Sequence, residues 1–166
     1  MKRLLNIIYV AAAVCSLGFV SAGCTPEMEP LDSPFLYIKD ADGGSSLNVD
    51  AEANNYTTSL YVSTVARRME EPFTVTFRAI VGGGLKEGVD FRIKQGLEGT
   101  LTFQPGITRQ PIHIVWSRNS SLDSAADNTL TIEIVSVSNP EFTIGYLSLG
   151  DENKYRTYTF TRVKSN

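Results

Sequence analysis

The sequence predicts an all-β protein whose strands pair antiparallel into a sandwich. Runs of β-branched and aromatic residues recur about every ten residues from residue 34 onward, and clusters of Gly, Asn, Asp, Pro and Ser separate them. No segment from there on carries a helical period. The chain has 166 residues, of which 42% are hydrophobic and 20% charged, and this suffices for one such domain.

Residues 1–23 are predicted to be a lipoprotein signal peptide that is cleaved off. Lys2 and Arg3 precede an apolar stretch over residues 7–20, which is shorter than the roughly 20 residues of a membrane-spanning helix. Small residues follow, and the ending before Cys24 resembles a bacterial lipobox, whose cysteine carries the lipid. The alternative is that Cys24 is a free thiol beside an ordinary signal-peptidase site.

Residues 24–33 are predicted to be a lipidated, flexible tether. Pro26 and Pro30 disfavour a helix, so this polar stretch is expected to be extended. Glu27 and Glu29 resemble the export signal that sends lipoproteins of certain Gram-negative bacteria to the outer face of the outer membrane. The expected location is therefore the outer membrane, with a lipid anchor and the domain facing the cell exterior. The alternative is a solvated linker whose acids have no specific role.

Residues 34–166 are predicted to form the β-sandwich domain, and alternation along each strand indicates which side chains are buried. The eight expected strands cover residues 35–39, 57–64, 73–81, 91–94, 99–103, 110–116, 130–137 and 155–163. The side chains expected to point into the core are Phe73, Val75, Phe77, Ala79, Val81, Leu101, Phe103, Ile112, Ile114, Trp116, Leu130, Ile132, Ile134, Tyr158 and Phe160.

A stretch in the middle of the chain resembles the Calx-beta family. It consists of G-V-D-F at residues 88–91, G-T-L-T-F-Q-P-G at residues 99–106 and the alternating strand Q-P-I-H-I at residues 110–114. The resemblance implies an immunoglobulin-like sandwich. The turn also has a physical explanation, since Pro105 fixes its own φ at a value that suits a turn and Gly106 accepts a positive φ.

Some Calx-beta modules bind calcium through acidic loops, so the resemblance raises the question of a metal site. The acidic run that is usual in the family is replaced here by residues 117–122, which contain no carboxylate. Calcium takes about six to eight oxygen ligands. Neither Asp40 with Asp42 nor Asp151 with Glu152 supplies that number, and these acids are expected to be solvated. No metal site and no cofactor are predicted.

Composition and motif content disfavour nucleic-acid binding and catalysis. The 15 Lys and Arg stand against 18 Asp and Glu, a net charge of −3, so no basic field attracts nucleic acid. His113 lies between two inward-facing isoleucines and is expected on the solvent side, and the sequence has no nucleophile-elbow motif. The triple glycine at residues 82–84 lacks the rest of a phosphate-binding loop and is predicted to be a flexible loop. No catalytic residue and no enzymatic activity are predicted.

Exposed tyrosines are the candidate ligand-binding residues, because sugar rings stack their apolar faces on aromatic side chains. Alternation points Tyr61 and Tyr155 outward, whereas Tyr56 and Tyr146 fall at strand edges or in loops. Trp116 has the parity of the core and is interpreted as a core anchor.

The predicted function is that of a lipid-anchored, non-enzymatic cell-surface binding or spacer module, accessory to glycan capture. The segment from W-S-R at residues 116–118 to S-L at residues 121–122, followed by L-T-I at residues 130–132, is similar to the corresponding strand, loop and strand of surface lipoproteins encoded near outer-membrane glycan importers. The lipobox, the acidic tether and the small sandwich together also resemble that group. Its expected partners are the membrane, through the anchor, and a glycan or a surface protein. The alternative is a structural or interaction subunit of a surface complex with no small ligand. An exposed aromatic row at one end of the sandwich would favour the first function, and an apolar patch or unpaired edge strand would favour the second.

Overall fold

A computed structural model describes residues 34–65, 69–145 and 155–164. Within these ranges the chain forms ten strands and contains no helix long and apolar enough to cross a membrane. The predicted signal peptide, the tether and Cys24 lie outside the described residues. The strands are β1 (Phe35–Lys39), β2 (Ser46–Asp50), β3 (Tyr56–Val65), β4 (Phe73–Val81), β5 (Phe91–Ile93), β6 (Glu98–Phe103), β7 (Arg109–Trp116), β8 (Thr129–Val137), β9 (Thr143–Ile144) and β10 (Thr157–Val163).

The strands form two five-stranded sheets that pack as a sandwich, which confirms the predicted fold class. The first sheet has the order β5-β7-β3-β1-β9, and the second has the order β2-β10-β8-β4-β6. Most neighbours pair antiparallel, but β1 pairs parallel with β9 and β10 pairs parallel with β2. The chain changes sheets directly after Lys39, because residues 40–45 turn and lead into β2 on the other layer.

All eight predicted strands are present, and seven of them have ends within one residue of the expected positions. The eighth was expected to start at Tyr155 but begins at Thr157. Tyr155 has a φ of 65°, a left-handed conformation that a strand residue does not adopt. Its carbonyl oxygen instead accepts a 2.8 Å hydrogen bond from the N–H of Ile38, beside β1.

Two strands were not predicted, and tertiary contacts explain both. In β2 only Val49 is buried, so the sequence shows little alternation, and the strand is held by its pairing with β10. The two residues of β9 are too few to show any period. They pair with the start of β1, where Thr143 N–H donates to Pro34 O at 3.0 Å and Gly145 N–H donates to Leu36 O at 2.7 Å.

The core lies between the two sheets, and 13 of the 15 side chains predicted from alternation are buried in it. Trp116, Phe77, Phe103, Tyr158 and Phe160 are among the largest side chains with no significant exposure. Ala79 and Val81 have the predicted parity but are only partly buried, and they pack against the rim of the core.

Trp116 is the core anchor that its parity predicts. Its side chain is fully buried, and Nε1 donates a 2.9 Å hydrogen bond to Oγ1 of Thr58 on the neighbouring strand. The ring lies 5.8 Å from Phe91 in its own sheet and 5.3 Å from Phe160 in the other, measured between centroids. Trp116 therefore connects the two sheets, and the paired N–H avoids the cost of an unsatisfied buried donor.

The triple glycine is a packed loop rather than the flexible loop expected. A Cβ on Gly82 would lie 2.5 Å from the carbonyl oxygen of Asp127, and one on Gly84 would overlap Oδ1 of Asn128. Gly83, between them, has open space around it. Two of the three glycines are thus required by the close approach of residues 126–128.

The residues that resemble the Calx-beta pattern have structural roles here. Asp90 is 3% exposed and accepts hydrogen bonds from Lys86 N–H at 2.7 Å and Asn119 Nδ2 at 2.6 Å. These bonds close the turn that leads into β5. In the second part of the pattern Gly106 has a φ of 83°, and Ile107 N–H donates to Gln104 O at 2.9 Å. The predicted turn after β6 is confirmed.

Candidate functional site

The structure separates the four tyrosines proposed as ligand-binding residues. Tyr61 lies on the outer face of the first sheet, and Tyr155 lies beside the adjoining strand β1. Tyr56 is 49% exposed but stands at the other end of β3, opposite Trp116 in the register. Tyr146 lies outside the described residues. Tyr61 and Tyr155 are therefore the two candidates that the fold brings to the same region.

Strand β1 adds two residues to this region that the sequence analysis missed. Leu36 and Ile38 are fully buried, so Tyr37 and Lys39 must point to the solvent side of the sheet. Their register places Lys39 directly opposite Tyr61 on β3. The signal was present in the sequence, because a strand with aliphatic side chains at alternate positions directs the intervening tyrosine outward.

Strand β7 contributes a third missed residue, Arg109. It lies opposite Ser63, which in turn lies opposite Tyr37 on the other side of β3. Side chains directly opposite one another share a face of the sheet, so β1, β3 and β7 present these groups together. The predicted strand began one residue later, at position 110, which left Arg109 in a loop.

Two cations lie on the tyrosine rings of this face. The guanidinium carbon of Arg109 is 3.6 Å from the ring centroid of Tyr61. The Nζ of Lys39 is 4.1 Å from the centroid of Tyr155 and 5.6 Å from that of Tyr37. These are cation–π contacts, each worth about 0.5–1 kcal/mol at exposed sites. We call these five residues, Tyr37, Lys39, Tyr61, Arg109 and Tyr155, the tyrosine face.

The tyrosine face contains two shallow depressions on either side of β1. One has a volume of about 370 Å³ and includes Tyr61, Ser63 and Arg109 in its lining. The other, of about 360 Å³, includes Val65 and Tyr155. Tyr37 and Lys39 line both. Open, adjacent depressions suit an extended ligand better than a small molecule, which a pocket normally encloses.

Asp40 stands at the rim of the first depression with its carboxylate fully engaged. Oδ1 accepts hydrogen bonds from the N–H groups of Asp42 and Gly44, at 3.0 and 2.7 Å, and Oδ2 accepts one from the Tyr158 hydroxyl at 2.7 Å. Burial alone would raise the pKa of Asp40, but these hydrogen bonds outweigh it and hold the pKa below its ordinary value. Burial, and then the nearby carboxylate, raises the pKa of Tyr158.

His113 points to the solvent side, as alternation predicts, and meets Ser59 there. Its Nδ1 lies 2.9 Å from the hydroxyl oxygen of Ser59 on the adjacent strand. No carboxylate of the described residues is hydrogen-bonded to the imidazole, so the arrangement lacks the group that orients a catalytic histidine. The described ranges also hold no cluster of three or more His, Cys, Asp or Glu side chains placed to bind a metal ion. Asp151 and Glu152 lie outside them.

One edge of β3 has no partner strand within the described part of the chain. The N–H of Thr64 donates to Thr108 O and therefore points toward β7. N–H groups alternate in direction along a strand, so those of Thr57 and Ser59 point to the other side, away from β7. Strand β1 would pair with them there, but it ends at Lys39, opposite Tyr61. A depression of about 230 Å³ lies along this edge.

No family model and no curated protein matches the chain. Among solved structures, a crystal structure described as CBD12 from CALX1.2 matches with a TM-score of 0.54 and 16% identity, over 78% of this chain and 44% of that one. The chain thus spans less than half the length of that structure. The reeler domain of human F-spondin (fragment 1) matches with a TM-score of 0.38 and 10% identity, over 77% of this chain and 89% of that one. The first match shows that the fold is a Calx-beta-like, immunoglobulin-like β-sandwich, as the sequence resemblance implies.

Proposed function

We propose that this protein is a lipid-anchored, non-enzymatic surface module that binds carbohydrate through the tyrosine face. The observation that carries the proposal is a half-buried aromatic row: Tyr37, Tyr61 and Tyr155 line the two adjacent depressions on the outer side of the first sheet. Sugar rings present apolar C–H faces that pack on aromatic side chains, while their hydroxyls need hydrogen-bonding partners beside the rings. Lys39 and Arg109 supply donors in that position.

The sandwich suits this role because the tyrosine face stands on regular strands. Strand β3 pairs with β1 on one side and β7 on the other, so the three strands that carry most of the face are held in one register. A binding surface on paired strands keeps its geometry better than one on loops. The proposed lipid on Cys24 would anchor the module, with residues 24–33 as its tether.

Affinity electrophoresis of the full-length chain, purified in non-ionic detergent, tests the proposal. The gels contain starch, xylan, galactomannan, polygalacturonate or dextran sulfate. We expect at least one of them to retard the protein, and we expect Tyr61→Ala and Tyr37→Ala to lose the retardation. Tyr56→Ala is the matched control, because it removes an exposed tyrosine from the same strand but outside the tyrosine face. Equal migration in all gels, or an equal loss in Tyr56→Ala, would refute the proposal.

The second candidate is an interaction subunit of a surface complex, and the free edge of β3 favours it. The N–H and C=O groups of Thr57 and Ser59 are placed to extend the sheet with a strand from another protein. Thr57→Pro removes one of these donors. Thr64→Pro cannot serve as the control, because it would break the hydrogen bond from Thr64 N–H to Thr108 O. If no polysaccharide retards the protein and Thr57→Pro abolishes co-purification of another surface protein, this second function applies.

A further inference from the structure

The two sheets of the sandwich differ in the charge that their strands carry. The five strands of the first sheet contain Lys39, Arg92 and Arg109 and not one Asp or Glu. The strands of the second sheet contain carboxylates at Asp50, Glu98 and Glu133. The whole chain has more acidic than basic residues and a net charge of −3, so its composition does not explain a sheet whose strands contain no acidic residue. The strands of this sheet therefore carry three cations and no carboxylate on an acidic protein.

The cations of the tyrosine face are not neutralised by their own protein. The salt bridges of the described residues join Arg78 and Arg156 to Glu133, and Arg118 to Glu52, and none includes Lys39 or Arg109. Asp40, the ionised carboxylate at the rim, accepts three hydrogen bonds from neutral groups and keeps its charge, so the first depression carries two cations against one carboxylate. The tyrosine rings thus hold both cations in place without cancelling their charge.

The position of Arg109 against the ring of Tyr61 matters for what it can bind. A guanidinium in contact with an aromatic ring keeps its N–H groups available around its edge, in a fork that matches the oxygens of a carboxylate or sulfate. Here the guanidinium carbon is 3.6 Å from the Tyr61 centroid. Arg109 is exposed, and both it and Lys39 line the same depression. A chain lying in that depression would meet both charges.

We propose that the tyrosine face selects an anionic polysaccharide, one whose sugar units carry carboxylate or sulfate groups. This inference rests on the carbohydrate-binding function proposed above and names the class of glycan. Lys39 and Arg109 pair with the anionic groups, while Tyr37, Tyr61 and Tyr155 form the apolar floor between them. Opposite charge raises the association rate and adds an attraction that a neutral glycan lacks.

Two pairs of polymers test the inference, because each pair has the same backbone with and without charge. Polygalacturonate is compared with its methyl ester, and dextran sulfate is compared with dextran, using the full-length chain in non-ionic detergent. We expect tighter binding to the charged member of at least one pair, and the pair that responds distinguishes carboxylate from sulfate. Binding to the charged polymer is expected to weaken as salt increases, because exposed charges are screened.

Variants separate a specific site from general attraction of a polyanion. Lys39→Gln and Arg109→Gln are each expected to weaken binding of the charged polymer about fivefold, the effect of losing one exposed charge pair. Lys164→Gln is the matched control, since it removes an exposed lysine next to β10 of the second sheet. It should change the affinity less than twofold.

The outcomes are distinct for the inference and for the function on which it rests. Equal affinity for both members of each pair, or an equal effect of Lys164→Gln, overturns the anionic selectivity. If a neutral polysaccharide then still binds in a manner that depends on Tyr61, carbohydrate binding stands and only the inference fails. If no polysaccharide binds at all, both fail.

Discussion

The hydroxyl of Tyr158 donates a 2.7 Å hydrogen bond to Oδ2 of Asp40, and the two residues lie 118 positions apart in the chain. Tyr158 belongs to β10 of the second sheet, whereas Asp40 follows β1 of the first. The bond therefore ties the two sheets together where the chain crosses from one to the other. It also holds the turn that forms the rim of the tyrosine face.

Removing this hydroxyl is expected to destabilise the fold without removing any ring packing. Tyr158→Phe should lower the free energy of unfolding by about 1.5–3 kcal/mol, the usual effect of losing a hydrogen bond to a charged group. Urea unfolding followed by the fluorescence of Trp116 measures it. Tyr56→Phe, which removes a hydroxyl from an exposed tyrosine, is the control and should be neutral. A change below about 0.5 kcal/mol in Tyr158→Phe would contradict this role.

The same carboxylate predicts a loss of stability in acid. The pKa of Asp40 lies below its ordinary value of 3.8 in the folded protein, so its ionised form stabilises the fold. That contribution is complete above the unfolded pKa and disappears as the pH falls through the lower, folded pKa. Between pH 5 and pH 3 the wild type should therefore lose more stability than Asp40→Asn. Equal losses, measured by urea unfolding at each pH, would assign the acid sensitivity to other carboxylates.

The packed glycine loop predicts opposite effects for neighbouring substitutions. Gly84→Ala places a methyl group against Asn128 Oδ1 and Ala126 Cβ, so it should destabilise the protein by about 1–3 kcal/mol. Gly83→Ala meets no atom within 4 Å and should be neutral or stabilising by about 0.4–1 kcal/mol, because it restricts the unfolded chain. Thermal unfolding of both variants tests this. Similar melting temperatures for the two would show that the loop is not packed.

Trp116 contacts both sheets, so truncation of its side chain is expected to lower the free energy of unfolding strongly. Trp116→Ala should cost about 3–5 kcal/mol, because it leaves a cavity in contact with Phe91 and Phe160. Trp116→Phe should cost less, since it keeps an aromatic ring but leaves the hydroxyl of Thr58 without its donor. Circular dichroism during urea unfolding follows both variants. A cost for Trp116→Phe as large as that for Trp116→Ala would contradict the predicted cavity effect.

Lipid attachment at Cys24 predicts a labelling pattern with an internal control. Wild-type protein should incorporate labelled palmitate in its native host, and Cys24→Ala should not, because the thiol that carries the lipid is absent. Cys15 is the chain's other cysteine and lies in the predicted signal peptide. Cys15→Ala should be labelled normally. Labelling of Cys24→Ala at the wild-type level would refute the anchor.

Part of the candidate site follows from alternation alone. The outward direction of Tyr61 was predicted from the apolar residues around it on β3, and the same argument applies to Tyr37. Alternation along a strand does not show which strands are its neighbours in the sheet. Strands β1, β3 and β7 are far apart in the chain, and only their order in the sheet places Lys39 and Arg109 beside the tyrosines.

The sequence by itself determined eight of the ten described strands and the two faces of each, because burial of one face imposes a period of two that is visible in the residues. It therefore predicted the sandwich, the burial of Trp116 and the outward position of His113. Only the tertiary structure decided the switch of sheets after Lys39, the short strands β2 and β9, and the left-handed backbone at Tyr155. These features depend on pairings between residues distant in the chain, for which a local pattern has no signal. The tyrosine face is of the same kind, since it exists only once three separate strands lie side by side.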